Sequence, residues 1–334
     1  MLNVAVSNSQ SSIVRLLLEK GAYVEERNHD GDTPLGRAVS RGETKIINLL
    51  LSHGASVSAR TGRGETLLAL AVSRGDTSTV KALLAQEGIN TEATSLKGET
   101  PLYTAISRGD TSIAQLLLQN GANPNPDTYP LESDSLLHLV VSRGNTSLTH
   151  LLASEGVKVD AKNKDGETAL FRAVCSGDVS IASILISKGA DVNTTNAVGV
   201  PIIYKAVSKG HTSLVSVLLS NRANPDMNHP NGDSPLYQAV YQGNTAIVSL
   251  LLAHKANPEA TSSTGEIALF RAIYKNDTAV VSLLCSYGAN PETINCSGET
   301  SMEYGLKRGN TSTVHILKAY SRKVARAARK SSKC

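Results

Sequence analysis

The sequence predicts an all-α repeat solenoid of about ten stacked helix-turn-helix units. Three observations carry that reading. A phrase built on Gly, an acid and Thr returns from Gly31, Gly64, Gly98 and Gly166, with weaker copies from Ser133, Gly199, Gly232, Gly265 and Gly298. The spacings are 33, 34, 35, 33, 33, 33, 33 and 33 residues. Each phrase is followed by two short apolar stripes of helical period, mostly closed by Gly. The 334 residues would otherwise suggest two globular domains, but the copies run almost end to end without a linker.

The copy at 98–132 shows how one unit is built. Thr100 is a suitable N-cap, and Pro101 suits the first helical position, where its missing N–H costs nothing. Leu102, Ala105 and Ile106 fall at i, i+3 and i+4, and Gly109 stops the helix. Asp110 and Thr111 start a second helix, with Ile113, Leu116 and Leu117 as its stripe and Gly121 as its end. A polar, turn-rich loop leads to the next copy. Helices of two or three turns do not hold alone in water, so adjacent copies must cover the stripes.

Read in order, the array runs over 1–320. A truncated first copy occupies 1–30. Copies two to ten occupy 31–63, 64–97, 98–132, 133–165, 166–198, 199–231, 232–264, 265–297 and 298–320, and a basic tail follows at 321–334. Met1 to Ser7 is already first-helix material, and Leu2, Val4, Ala5 and Val6 have no covering copy upstream. This predicts either a bare apolar edge, as in part of a longer protein, or an edge hidden by other means. The tenth copy, with Met302-Glu303-Tyr304-Gly305 and Lys307-Arg308, has decayed as a terminal cap would.

The words Thr33-Pro34-Leu35, Thr100-Pro101-Leu102, Pro235-Leu236, Ala38 to Gly42, Ala71 to Gly75, Leu49-Leu50-Leu51 and the Gly-Ala pairs at Gly54, Gly121, Gly189 and Gly288 resemble the ankyrin repeat family. The resemblance covers roughly residues 1–320. It implies antiparallel helix pairs with hairpin-like loops projecting at right angles, and a protein-interaction module with no shared catalytic activity. That family usually has His after Pro-Leu. Here the place holds Gly36, Ala69, Tyr103, His138, Phe171, Tyr204, Tyr237, Phe270 and Glu303, so most corners must rely on ring packing instead, and a functional aromatic ladder is the alternative. Arg222 and Lys255 replace the Gly that ends the second helix, which predicts softer copies there.

In that family's fold, ligands usually touch the concave face. The corresponding residues after the turn are Asp32, Glu65, Glu99, Asp134, Glu167, Val200, Asp233, Glu266 and Glu299. Before the first-helix Gly stand Ser40-Arg41, Ser73-Arg74, Ser107-Arg108 and Ser142-Arg143. The series then changes to Cys175-Ser176, Ser208-Lys209, Tyr241-Gln242, Tyr274-Lys275 and Lys307-Arg308. Copies stand about 10 Å apart, so the arginines form a ladder beside an acidic row. Two readings stay open: a solvated network of acid–arginine pairs worth little per pair, or a polar recognition groove. Tyr241 and Tyr274 suit a protein partner, and one extended partner is expected to span both halves.

The loop between Gly121 and Ser133 is two residues longer than its equivalents. Pro124, Pro126 and Pro130 stiffen it, and Tyr129 stands among them. It reads either as a contact site or as a neutral length change. The net charge of +4 is misleading, because the tail carries six cations and no acid, which leaves −2 for the array. Arg322, Lys323, Arg326, Arg329 and Lys330 suit phosphate, nuclear import or an anionic membrane. Val324, Ala325, Ala327 and Ala328 tolerate a continued helix, and a solvated disordered end is the plain alternative. No aromatic interleaves the cations, so base stacking is not expected.

Little points to chemistry. The eight His residues are scattered, and His53 and His254 stand at equivalent second-helix ends, where a cation favours the dipole. Cys175, Cys285, Cys296 and Cys334 have no zinc spacing and read as free thiols in a reducing compartment. Asn145-Thr146-Ser147 and Asn310-Thr311-Ser312 read as helix caps rather than glycosylation sites. No signal peptide or membrane-length apolar run occurs. The expectation is an intracellular, cytoplasmic, non-enzymatic scaffold without cofactor or metal, reaching the nucleus only through its tail. Two further readings are a regulatory array of a longer signalling protein and, remotely, a small-molecule binder or enzyme using the groove.

Overall fold

One hydroxyl opens most of the helix pairs. Thr33, Thr66, Thr100, Ser135, Thr168, Ser234 and Thr300 each accept from the N–H three residues on, at 3.1–3.4 Å. This satisfies a donor that the helix itself leaves free. Pro34, Pro101 and Pro235 follow directly, in the first turn. Gly109 ends its helix left-handed, at φ +79°. Asp76, Asn145, Asp178, Asn244 and Asp277 open the second helix in the same manner, at 2.9–3.1 Å. Asn145 is therefore a cap, as its spacing predicts.

The computed structural model describes residues 1–126 and 134–331, with side chains described as far as residue 323. The described residues form ten helix pairs. The first helices are α1 (Leu2–Ser7), α3 (Pro34–Arg41), α5 (Leu67–Arg74), α7 (Pro101–Arg108), α9 (Leu136–Ser142), α11 (Ala169–Ser176), α13 (Ile202–Ser208), α15 (Pro235–Gln242), α17 (Ala268–Tyr274) and α19 (Ser301–Lys307). The second helices are α2 (Ser11–Glu19), α4 (Thr44–Ser52), α6 (Thr77–Leu84), α8 (Thr111–Gln119), α10 (Thr146–Ser154), α12 (Val179–Ser187), α14 (Thr212–Ser220), α16 (Thr245–Ala253), α18 (Thr278–Ser286) and α20 (Thr311–Ser331). Among the described residues, β pairing is confined to isolated bridges, such as Arg60 with Thr66 and Thr261 with Ile267.

Two compact units result, Met1–Lys158 and Val159–Cys334. Within each, a helix packs on its own partner and on its equivalent in the next copy: α3 on α4 and α5, α15 on α16 and α17. Leu35, Ala38, Val39, Ile46, Ile47 and Leu50 are buried by this stacking, and each buried Leu or Ile contributes about 1.5–3 kcal/mol. The corner residues Phe171, Tyr204, Tyr237 and Phe270 are buried too. Phe270 meets Tyr304 edge-on at 5.6 Å, so ring packing does stabilise that corner. Glu303 instead completes a capping box with Thr300.

The loops stack as well. In the first unit, N–H groups of Ser56, Asn123 and Lys158 donate to the side chains of Glu25, Glu92 and Asn125, one copy back, at 2.8–2.9 Å. In the second, Asp191, Asn224, Asn257 and Asn290 do the same to Asp160, Asn193, Asp226 and Glu259, at 2.6–3.0 Å. Gly62 packs so tightly on the previous loop that an added Cβ would lie 1.7 Å from the Asp30 carbonyl oxygen.

At the first copy the structure corrects the expected edge. Leu2, Ala5 and Val6 are buried, because α1 packs on α2 and α3. The exposed apolar residues there are Val4, Ile13 and Leu16. Ile13 is 44% exposed, whereas its equivalents Ile46, Ile113 and Ile181 are fully covered by the preceding copy. At the other end α20 continues through residue 320 to Ser331, so the start of the tail is helical. Val314 and Leu317 are buried, and the Ser321 hydroxyl donates to Glu292 at 2.9 Å.

Arg222 and Lys255 stand left-handed at φ +69° and +68°. That conformation costs a residue with a Cβ roughly 1 kcal/mol. Arg222→Gly and Lys255→Gly should each raise unfolding stability by ~1 kcal/mol in urea titrations. Gly62→Ala should lower stability by more than that, since backbone must move.

Candidate functional site

The cationic row sits where α3, α5, α7 and α9 end, and there it leans backwards. The Arg143 guanidinium donates to the carbonyl oxygens of Ser107, at 2.5 Å, and Ile106, at 3.1 Å, in the last turn of α7. Arg41 donates to the Ser9 hydroxyl at 3.1 Å, just beyond α1. The Arg74 and Arg108 guanidiniums pack over Gly42 and Gly75, which end the preceding first helices. The second unit repeats the device: Lys275 donates to the Tyr241 carbonyl at 2.6 Å, and Gln242 to that of Ser208 at 2.8 Å. A cation or donor at a helix C-terminus meets the free carbonyls and the negative end of the dipole. Lys209 is exposed at the same place.

The acids behave differently from the pairing the sequence suggests. Arg41 and Arg108 pair with Glu43 at 3.6 Å and Asp110 at 2.7 Å, within their own copies. Among the described residues no ion pair joins Arg41, Arg74, Arg108 or Arg143 to Asp32, Glu65 or Glu99. Two of the turn acids serve the next loop instead. Asp32 accepts the Gly62 N–H at 2.8 Å, and Asp233 the Ser263 N–H at 2.6 Å. Burial opposes the Asp233 charge, but the Ser263 N–H and the Asn231 amide outweigh it and hold that carboxyl below the usual range. Pairing within the row does occur at Glu167 with Arg172, 3.8 Å, and Glu299 with Lys307, 2.6 Å. Asp30, Asp32, Glu65, Arg37 and Arg63 line an open cleft of about 510 Å³ in the first unit.

In the second unit Tyr241 and Tyr274 are 51% and 47% exposed, at the ends of α15 and α17. Sequence reasoning missed what lies between them. The Arg271 guanidinium stands 4.5 Å from the Tyr241 ring centre and 5.2 Å from that of Tyr274. Arg308 stands 4.1 Å from Tyr274. The signal was present, since Arg271 precedes Tyr274 by three residues and so shares its helix face. Tyr237, beneath them, hydrogen-bonds Glu266. Burial and that carboxylate raise the Tyr237 hydroxyl well above its ordinary value.

Of the lengthened loop, Pro124 and Pro126 are half-buried, and Asn125 between them ties the start of the loop to Gly156 and Lys158. Tyr129 and Pro130 lie outside the described residues. In the tail, Arg322 and Lys323 are exposed, while the side chains of Arg326, Arg329 and Lys330 lie outside the described residues. His53 and His254 cap their helices as expected, with Nδ1 donating to Leu49 and Leu250 carbonyls at 2.9 Å. Among the described residues no cluster of His, Cys, Asp or Glu is arranged to hold a metal ion. None of the described helices is long and apolar enough to cross a membrane.

Stacked, capped helix pairs with projecting loops define an ankyrin repeat protein, and comparison with known proteins agrees. The model of three consecutive ankyrin repeats matches at residues 1–61, 57–128, 123–196 and 203–295, well over half of the chain. The chain belongs to the ankyrin repeat family. Among solved structures it is similar to the ankyrin repeat domain of Bcl-3, a member of the IkappaB protein family. That match has 28% identity and a TM-score of 0.57, covering 66% of this chain and 99% of that one. It is also similar to an ankyrin repeat domain from Acinetobacter baumannii AYE, at 26% identity and a TM-score of 0.52, covering 55% and 97%. No curated protein matches. Ankyrin repeats are in general protein–protein interaction modules, and the fold is typically a non-enzymatic binding scaffold.

Arg143→Met and Lys275→Met remove the cation from a helix end and should each cost about 0.5–1 kcal/mol of stability at low salt, less at high salt, in urea titrations. Thiol labelling at neutral pH should modify Cys296, which is exposed, and spare Cys285. Burial and the Glu259 charge push the Cys285 thiol up to about 11.

Proposed function

We propose that this chain is a non-enzymatic scaffold or adaptor that binds a protein partner on its first-helix face, the concave side in the family's fold. The observation that carries this is the pair of half-exposed tyrosine rings, Tyr241 and Tyr274, set side by side on α15 and α17. Tyrosine buries a large area at low entropic cost, which suits the centre of a protein interface. The backward-leaning arginines of the first unit form a separate surface. Their contacts to the preceding copy hold them in place, and their outer edges stay exposed for a partner's carboxylates. Nucleic acid or an anionic membrane enters this reading only through the basic tail. A cytoplasmic location, or a nuclear one through the tail, belongs to the same proposal.

A second reading, a regulatory array within a larger signalling protein, draws on the exposed Val4, Ile13 and Leu16 of the first copy. A further helix pair would cover them. The open clefts offer little to an enzyme, which needs a pocket that excludes water.

Affinity capture followed by mass spectrometry tests the main reading, with the whole chain as bait. Tyr241→Ala together with Tyr274→Ala should weaken a captured partner by more than ~1 kcal/mol. The quadruple alanine variant at Arg41, Arg74, Arg108 and Arg143 reports on the other surface. Partners bound equally by all three chains would count against both surfaces.

A further inference from the structure

Arg271 and Arg308 are held by rings rather than by carboxylates. Arg271 lies against Tyr241 and Tyr274, and Arg308 against Tyr274 and, at 5.8 Å, Tyr304. Among the described residues neither guanidinium makes an ion pair. The nearest acids of the turn row are engaged elsewhere: Glu266 with the Tyr237 hydroxyl, and Glu299 with Lys307. Arg271 Nε is buried without a hydrogen-bond partner. Stacking uses the faces of a guanidinium and not its edge; with the Arg271 Nε buried, its two terminal amino groups are the donors left for a carboxylate, which a guanidinium can meet with two parallel N–H bonds. Lys275 adds an exposed charge beside the stack.

We propose that this Tyr241–Arg271–Tyr274–Arg308 ladder takes an acidic, extended segment of a partner protein, with a carboxylate on each guanidinium and apolar groups on the ring edges. The inference rests on the protein-binding reading and specifies its partner. Arg271 and Arg308 come from adjacent copies, about 10 Å apart. An extended chain advances roughly 3.1–3.4 Å per residue, so acids about three residues apart would meet both. Single-stranded nucleic acid fits less well. Two guanidiniums already lie against Tyr274, where a base would have to stack, and a continuous phosphate backbone would run beside Glu266 and Glu299.

The test is selection from a random twelve-residue peptide library displayed on phage, with the full chain as target, followed by anisotropy titration of the selected peptides. Enriched peptides should carry pairs of Asp or Glu. Replacing those acids by Asn or Gln should weaken binding at least ten-fold. Arg271→Gln with Arg308→Gln should do the same while leaving the urea midpoint close to that of the unaltered chain. Peptides without acidic bias that still require Tyr241 and Tyr274 would overturn the acidic specificity and leave the protein-binding reading standing. Failure to enrich any peptide, or equal binding by the double variant, would overturn the inference. So would a twelve-residue oligothymidine that binds as tightly and displaces the peptides. The protein-binding reading is judged separately, by affinity capture with the tyrosine variants.

Discussion

No copy in this array can cover its own apolar face, and everything else follows from that constraint. A helix of six to nine residues is too short to persist in water. It persists here because residues such as Leu35 and Ile46 are sealed by the neighbouring pairs. Stability in such an array is close to a sum of unit terms and neighbour terms. Weak copies therefore matter locally. Arg222 and Lys255 sit left-handed at the ends of two adjacent second helices, where most copies place Gly.

The same constraint explains the cations. Each first helix ends with free carbonyls, and at several of them the next copy supplies the donor that meets them: Arg143 to α7, Gln242 to α13, Lys275 to α15. A row that looks like a recognition ladder is thus also a lateral seam between copies. The two roles are compatible, because a guanidinium has five N–H donors and the seam uses only some of them. In the second unit stacking is added to the seam, with Arg271 and Arg308 packed on tyrosine faces. Partner specificity would then reside in residues whose geometry the stack has already fixed, which lowers the entropic cost of binding.

Period, caps and stripes were legible in the sequence because each is a local property. Thr100, Pro101 and Gly109 announce a helix with no knowledge of the neighbours, and Asn145 announces the next. The ends of the array were harder. Leu2 and Val6 looked bare because their cover, α2 and α3, comes later in the chain, while Ile13 was passed over. Tyr241 and Tyr274 stood out by position; the helix spacing joins Arg271 to Tyr274, but only the stacking of copies brings it to Tyr241. The role of Asp32 was hidden from the sequence for a similar reason. An N–H of the next loop, such as that of Gly62, carries no side-chain signature.

The loop ties run from seven of the copies to the one before, at separations of 31 to 33 residues, and nearly always between equivalent positions. Such a seam tolerates changes of length very unevenly. Duplicating or excising a whole copy leaves most of these donors facing an equivalent acceptor, so such an array can lengthen or shorten in whole-copy steps. A one-residue slip inside a unit would instead misalign two successive loops at once. Growth by whole modules, with drift confined to outward-facing positions, is the history that this architecture permits.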